Sequence, residues 1–230
     1  MNTNIQESRD TASLMNSWFN EYGAQFRELM AYYRCALMEV TTKFQVMNEE
    51  LSLRYDRNPI ESIKGRIKEP QSILDKLKRK GFDISIKSIE RNLDDVAGVR
   101  IICSFPSDIY LLSDALLRQD DIILIEKKDY VKDPKPNGYR SLHLIIALPI
   151  FLHDHKKMMT VELQFRTIAM DWWASLEHKI RYKKDLAPEE EIDRELLELA
   201  ETSAELDQRM ERIMEKVEWR QVDGDRSDPD

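Results

Sequence analysis

Two short segments gather side chains that could do chemistry together. Asn137-Gly138-Tyr139-Arg140-Ser141-Leu142-His143 and Val161-Glu162-Leu163-Gln164-Phe165-Arg166-Thr167 both read as strands. Side chains alternate across a strand, so every second residue shares a face. Tyr139, Ser141 and His143 then share one face, and Glu162, Gln164 and Arg166 share another, while Val161, Leu163 and Phe165 turn into a core. A sheet buried on both sides would carry aliphatics at all these positions. An aromatic ring, an imidazole, a carboxylate, an amide and a guanidinium instead suit a polar, planar, charged ligand such as a nucleotide. Glu162 carries the most weight, because a carboxylate inside an apolar strand is expensive to bury without a partner. Mg²⁺, a substrate hydroxyl or Arg166, two residues along the same face, would each serve.

Three further clusters repeat the theme. In Gly65-Arg66-Ile67-Lys68 with Ser72 and Lys76, the last two are four apart on a helix opened by Pro70 and so share a face. Ser72 lies in the first turn, where free N–H groups and the helix dipole favour a phosphate. Arg66 could stack on a purine and keep its charge. Taken alone, the plainer reading is a solvated basic helix. Asp94-Asp95 precede an apolar strand containing Arg100. A carboxylate at that strand edge suits Mg²⁺, which binds through one or two carboxylates plus substrate phosphates; the alternative is an Asp facing solvent. Lys127, Lys128, Lys132 and Lys135 surround a turn ending at Asn137-Gly138, and without other motifs this is a lysine-guarded hairpin loop.

The elements that must hold these residues follow from periodicity and punctuation. Residues 14–53 read as one amphipathic helix, with Met15, Phe19, Tyr22, Phe26, Leu29 and Tyr33 at steps of four and three. Residues 54–69 read as a loop or extended link. Helices are expected over Pro70–Lys80, Ser85–Leu93, Pro106–Arg118 and Ala169–Tyr182, and strands over Val99–Phe105, Ile122–Tyr130, Ser141–Pro149 and Met158–Arg166. The tryptophans Trp172 and Trp173 are expected mainly in core packing. A last helix from Pro188 to about Trp219 carries a heptad seam of Ile192, Leu196, Leu199, Leu206, Met210, Ile213 and Val217, with Ser203 in the missing place. The resulting organisation is an N-terminal helical segment (1–53), a central α/β unit that carries the clusters above (54–184), a C-terminal amphipathic helix (185–222) and a disordered tail (223–230).

Charge narrows the ligand class. The chain has 230 residues and a net charge of −8, but residues 188–230 hold 16 acids and 6 bases, leaving the rest about neutral. Lys64 to Lys80 contains seven Lys/Arg and two acids. That patch fits a small anion and is too local to argue for extended nucleic-acid binding, so RNA binding has no support from charge. No run of about 18 apolar residues spans a membrane and the N-terminus has no signal-peptide core, so the expected location is cytoplasmic. Cys35 and Cys103 are expected as buried thiols.

Several motifs together resemble one family. Lys135-Pro-Asn-Gly-Tyr139-Arg-Ser-Leu-His143, Glu162-Leu-Gln-Phe-Arg-Thr167, Asp95-Val-Ala-Gly-Val-Arg100 and the run Met170–Lys183 resemble the synthetase domain of RelA/SpoT enzymes, and in a chain this short the single-domain small alarmone synthetases. The resemblance implies an α/β, nucleotidyltransferase-like mixed sheet of about five strands, flanked by helices, with long terminal helices. It implies pyrophosphate transfer from ATP to the 3′-hydroxyl of GTP or GDP, with Mg²⁺ as cofactor. By the same resemblance Arg66 and Arg100 sandwich adenine, and Lys68, Ser72 and Lys76 hold ATP phosphates. Asp95 and Glu162 bind metal, and Glu162 works on the attacking hydroxyl. Lys128, Lys135, Tyr139, His143, Gln164 and Asp171 serve the guanine nucleotide, with Tyr139 stacked on its base. Small members form homotetramers through helices. Two alternatives stay open: a toxin-type relative acting on another acceptor such as a tRNA 3′ end, and a non-catalytic nucleotide- or RNA-binding regulator. With four histidines, none before His143, an HD-type hydrolase is not expected.

Overall fold

The computed structural model describes the backbone of residues 2–55, 57–182 and 190–224, and the side chains of 22–54, 57–181 and 190–217. Its elements are α1 (Asn2–Tyr55), β1 (Ile60–Ile67), α2 (Pro70–Arg79), α3 (Ile86–Asn92), β2 (Ala97–Cys103), α4 (Pro106–Leu117), β3 (Ile123–Asp129), β4 (Leu142–Phe151), β5 (Lys156–Thr167), α5 (Ile168–Tyr182) and α6 (Glu190–Gly224). The strands form one mixed sheet in the order β1-β2-β5-β4-β3. Only β2 and β5 run parallel.

Local signals explain most boundaries. Pro70 and Pro106 open α2 and α4, where a missing N–H costs nothing. Ser85 caps α3 by accepting from the Ser88 N–H at 3.1 Å. Asp108 reaches back to the Phe105 N–H at 3.1 Å and also takes two 2.9 Å bonds from Arg57, so a fully buried carboxylate is satisfied. Gly81, just past α2, has φ of 71°, the left-handed conformation glycine adopts without steric cost.

One sheet face is the core. Val99, Ile101, Leu144, Ile146, Val161, Leu163 and Phe165 are buried, and α1 crosses them with Phe44 edge-on to Phe165 at 5.6 Å. The seam residues Phe26, Leu29 and Tyr33 of α1 are buried as the periodicity required; Met15 and Phe19 lie outside the described side chains. Cys103 is buried and Cys35 half-buried, both free. Among the described residues no helix is long and apolar enough to cross a membrane.

Four expectations need correction. Residues 54–69 are not a link: β1 pairs antiparallel with β2 and brings Lys64 opposite Arg100 and Arg66 opposite Gly98. An edge strand needs only one ladder and tolerates charge, so its alternation of Ile63, Gly65 and Ile67 with Lys64 and Arg66 was masked by the glycine. Tyr139 does not lie on a strand, since β4 starts at Leu142 and Ser141 is buried against the Phe165 carbonyl at 2.9 Å. Trp172 is half exposed, while Trp173 is core and donates its ring N–H to the Leu196 carbonyl at 2.9 Å. The helix α6 continues through Gly224; residues 225–230 of the expected tail lie outside the described residues.

The helix α6 is pinned to the sheet by Asp207, which accepts from the Thr167 hydroxyl at the end of β5. Burial pushes the Asp207 carboxyl up to about 6, against the Thr167 bond and with help from Glu211. A raised carboxyl means the folded protein keeps a proton that the unfolded chain releases near pH 4. The stability this site contributes is therefore greatest below about pH 4 and is lost as pH rises through about 6. Asp207→Asn cannot ionise and still offers Thr167 an acceptor. Thermal unfolding should show the variant melting above wild type at pH 8, with the gap closing toward pH 4; equal melting at pH 8 would show that burial of this carboxylate costs nothing.

Candidate active site

The face of the sheet opposite α1 carries a row of polar side chains in register. Lys64 on β1 is opposite Arg100 on β2, Arg100 opposite Gln164 on β5, Gln164 opposite His143 on β4, and His143 opposite Lys128 on β3. The next row runs from Arg66 to Gly98 to Glu162. Gly98 leaves room in front of Glu162: a Cβ there would lie 3.9 Å from a Glu162 carboxylate oxygen. Lys64, Arg66, Asp95, Arg100, Glu162 and Gln164 line a single cleft.

Each carboxylate in this cleft has defined partners. Asp95 sits in the turn before β2 and takes hydrogen bonds from Lys68, at the end of β1, and from Lys76 on α2 at 2.6 Å. Burial raises its pKa, but the two lysines outweigh burial and hold it below the usual carboxylate range. Its other oxygen, Oδ1, is buried without a protein donor. Glu162 lies with Oε1 3.5 Å from His143 Nδ1. Burial raises it too, while His143 and Gln164 pull it down further, against opposition from Asp95, so it is ionised at neutral pH. The alternative partner, Arg166, is engaged elsewhere.

Arg166 is almost fully buried and donates to Asp171 at 3.0 Å, to the Tyr139 hydroxyl at 2.7 Å and to Gln164 at 3.3 Å. Asp171 also accepts from Arg100 at 3.0 Å and lies 3.7 Å from Lys64. Tyr139 is 2.9 Å from His143 Nε2, and the Lys135 ammonium stands 4.9 Å over its ring. The turn that presents Tyr139 rests on α6. Gly138 has φ of 86°, and a Cβ there would meet the Ala200 Cβ at 2.5 Å, so no other residue fits.

Residues 65–187 match the region found in RelA / SpoT proteins. The chain belongs to the RelA/SpoT family. It is 42% identical over 218 residues to the GTP pyrophosphokinase YwaC of Bacillus subtilis (strain 168), covering 95% of this chain and 100% of that protein. It also resembles the small alarmone synthetase 1 of Bacillus subtilis bound to its product pppGpp, with a TM-score of 0.75 and 34% identity over 84% of this chain and 98% of that one. The same relative bound to AMPCPP gives a TM-score of 0.70 at 32% identity, covering 84% of this chain and 97% of that one.

Within this RelA/SpoT fold, most of the expected residues converge. Arg66, Lys68, Lys76, Asp95 and Arg100 surround one end of the cleft, with Ser72 exposed on the same face of α2 as Lys76. On the other side of Glu162, Gln164 lines the cleft, His143 approaches the carboxylate, Tyr139 bonds His143 and Lys135 covers the Tyr139 ring. Lys128 is peripheral: it is exposed on the edge strand and paired with Glu126 at 2.8 Å. Asp171 stands between the arginines, which both bond its Oδ1, while its Oδ2 lies 3.7 Å from Lys64. Sequence reasoning missed Lys64 as a member of this network, and it placed Arg166 on the right face of β5 without its links to Tyr139 and Asp171, which lie on other segments. Two carboxylates facing one cleft, one with a buried unpaired oxygen, fit Mg²⁺. No larger His/Cys/Asp/Glu cluster occurs among the described residues.

Proposed function

We infer that this chain is a GTP pyrophosphokinase, moving pyrophosphate from ATP to the 3′-hydroxyl of GTP or GDP to make (p)ppGpp. One observation carries the reading: Glu162 shares a cleft with Arg66, Arg100 and Asp95, the last held by Lys68 and Lys76, and on its other side His143 links it to the aromatic ring of Tyr139. Membership of the RelA/SpoT family and likeness to a GTP pyrophosphokinase along nearly the whole chain support it.

The residues then divide the work. Arg66, exposed at the rim, and Arg100, held by Asp171, flank adenine. Lys68, Lys76 and Ser72 take the ATP phosphates. In the free protein both lysines clamp Asp95, so an incoming polyphosphate competes for them and releases the carboxylate. Tyr139 stacks on guanine once Lys135 leaves its ring for the acceptor's phosphates, with Lys128 nearby. Asp95 and Glu162 would hold Mg²⁺, which when bound neutralises polyphosphate charge. Glu162 receives the proton of the 3′-hydroxyl as that oxygen attacks the β-phosphorus in line and AMP leaves. Both nucleotides must be aligned first, so most of the rate enhancement is positional.

The same reading includes self-association. Leu206, Met210, Ile213 and Val217 on α6 are about half exposed. With Trp172, Ile168 and Phe105, Leu206 and Met210 line an apolar groove. Exposed apolar patches of this kind mark interaction sites, and a second copy's helix is the occupant we propose, consistent with a homotetramer.

Glu162→Gln keeps the shape and removes the charge. Turnover should fall by a factor on the order of 10²–10⁴, with GTP binding retained through Tyr139; near-normal (p)ppGpp synthesis would remove Glu162 from the chemistry. For the groove, Met210→Lys combined with Ile213→Lys should lower the mass seen by light scattering at micromolar concentration. A wild-type protein that is already monomeric there would contradict the assembly.

A further inference from the structure

We propose that the Tyr139 hydroxyl, as distinct from its ring, is a positioning group for Glu162: with Arg166 it fixes His143 in the tautomer that carries its proton on Nδ1. The catalytic consequence rests on the pyrophosphate-transfer reading; the tautomer itself does not.

The direction of each hydrogen bond follows from what the groups can do. A guanidinium only donates, so Tyr139 Oη accepts from Arg166 Nη2 at 2.7 Å. Arg166 cannot swing away easily, because Asp171 holds its other nitrogen at 3.0 Å and the side chain is 6% exposed. The hydroxyl's own hydrogen then needs an acceptor, and among the described residues its remaining partner is His143 Nε2 at 2.9 Å. If Nε2 donated instead, the hydroxyl would accept twice and its hydrogen would have no protein acceptor among the described residues. Nε2 is therefore the acceptor, and the imidazole proton resides on Nδ1.

The other side of the ring agrees. Nδ1 faces Glu162 Oε1 at 3.5 Å. With the proton on Nδ1 that approach is attractive; with a lone pair there it sets lone pair against carboxylate. Tyr130 and Tyr139 pack edge-on against the ring at 5.4 Å and 5.9 Å, which resists a flip. The sequence Asp171, Arg166, Tyr139, His143, Glu162 is thus an oriented chain with its donor end aimed at the carboxylate. Both nitrogens of His143 are occupied, so His143 serves Glu162 rather than gripping a phosphate, and Tyr139 has two separable roles, ring toward guanine and hydroxyl toward His143.

Tyr139→Phe separates them, since the ring stays and only the hydroxyl is lost. The tautomer can be read in nucleotide-free, ¹⁵N-histidine-labelled protein at about pH 8 from long-range proton–nitrogen correlations, with His143 assigned as the signal lost in His143→Gln. The wild type should show the Nδ1–H form, and Tyr139→Phe a shift toward the Nε2–H form that free imidazoles favour. Kinetically, Tyr139→Phe should keep KM for GTP within about twofold and lower kcat by roughly 10-fold or more, on the scale seen when an outer partner that orients a metal-bound histidine is removed. An Nε2–H tautomer in the wild type, or a Tyr139→Phe protein with unchanged tautomer and unchanged kcat, would overturn the proposal. A wild type with the Nδ1–H form but no (p)ppGpp synthesis would instead overturn the functional reading and leave the tautomer standing.

Discussion

The site depends on the register of β5 between β2 and β4. Parallel pairing on one side puts Glu162 beside Gly98 and Gln164 beside Arg100. Antiparallel pairing on the other puts Gln164 beside His143. A slip of one residue would turn Val161, Leu163 and Phe165 to the cleft and Glu162, Gln164 and Arg166 into the core. Burying three polar side chains under α1 would cost far more than any site contact returns, so the hydrophobic core that stabilises the fold also sets the catalytic geometry. Phe44 of α1 against Phe165 is one contact that enforces this choice.

Charges within the cleft satisfy one another before any nucleotide arrives. Lys68 and Lys76 neutralise Asp95, and Arg100 and Arg166 share Asp171. Unpaired, such groups would be expensive to bury and would destabilise the free protein. Paired, they form a preorganised field, which on the proposed reading a polyphosphate and its cation enter by exchanging partners, anion for carboxylate and metal for ammonium. The support extends to α6: Ala200 lies under Gly138 and Asp207 is bonded to Thr167, so the helix proposed to carry self-association also braces the turn that presents Tyr139.

Much of this was legible in the sequence, for identifiable reasons. The β4–β5 hairpin follows from period-two alternation, and α2 from Pro70 and Gly81 at its ends. Glu162 stood out because a carboxylate interrupts an apolar run. The edge strand β1 was not legible, because Gly65 between Lys64 and Arg66 hides its alternation and only pairing with β2 reveals it. Tyr139 was placed on a strand face by parity although it sits in a turn; its hydroxyl nevertheless ends 2.9 Å from His143. Asp171 was read as facing guanine, whereas its partner Arg100 is 71 positions away in sequence, a separation that no local pattern encodes. Arg166 was read as part of the ligand-facing row or as a partner for Glu162, because Tyr139 and Asp171, which hold it, lie outside β5.

The central claim is that the cleft holds two nucleotides and transfers a diphosphate unit between them. The direct measurement is to incubate the purified chain with Mg²⁺, GTP or GDP, and ATP labelled at either its β- or its γ-phosphorus, and to resolve the products. The account predicts that both labels move to the guanosine product and that AMP appears in equal amount. Transfer of the γ label alone with release of ADP, or no labelled guanosine product, would contradict it.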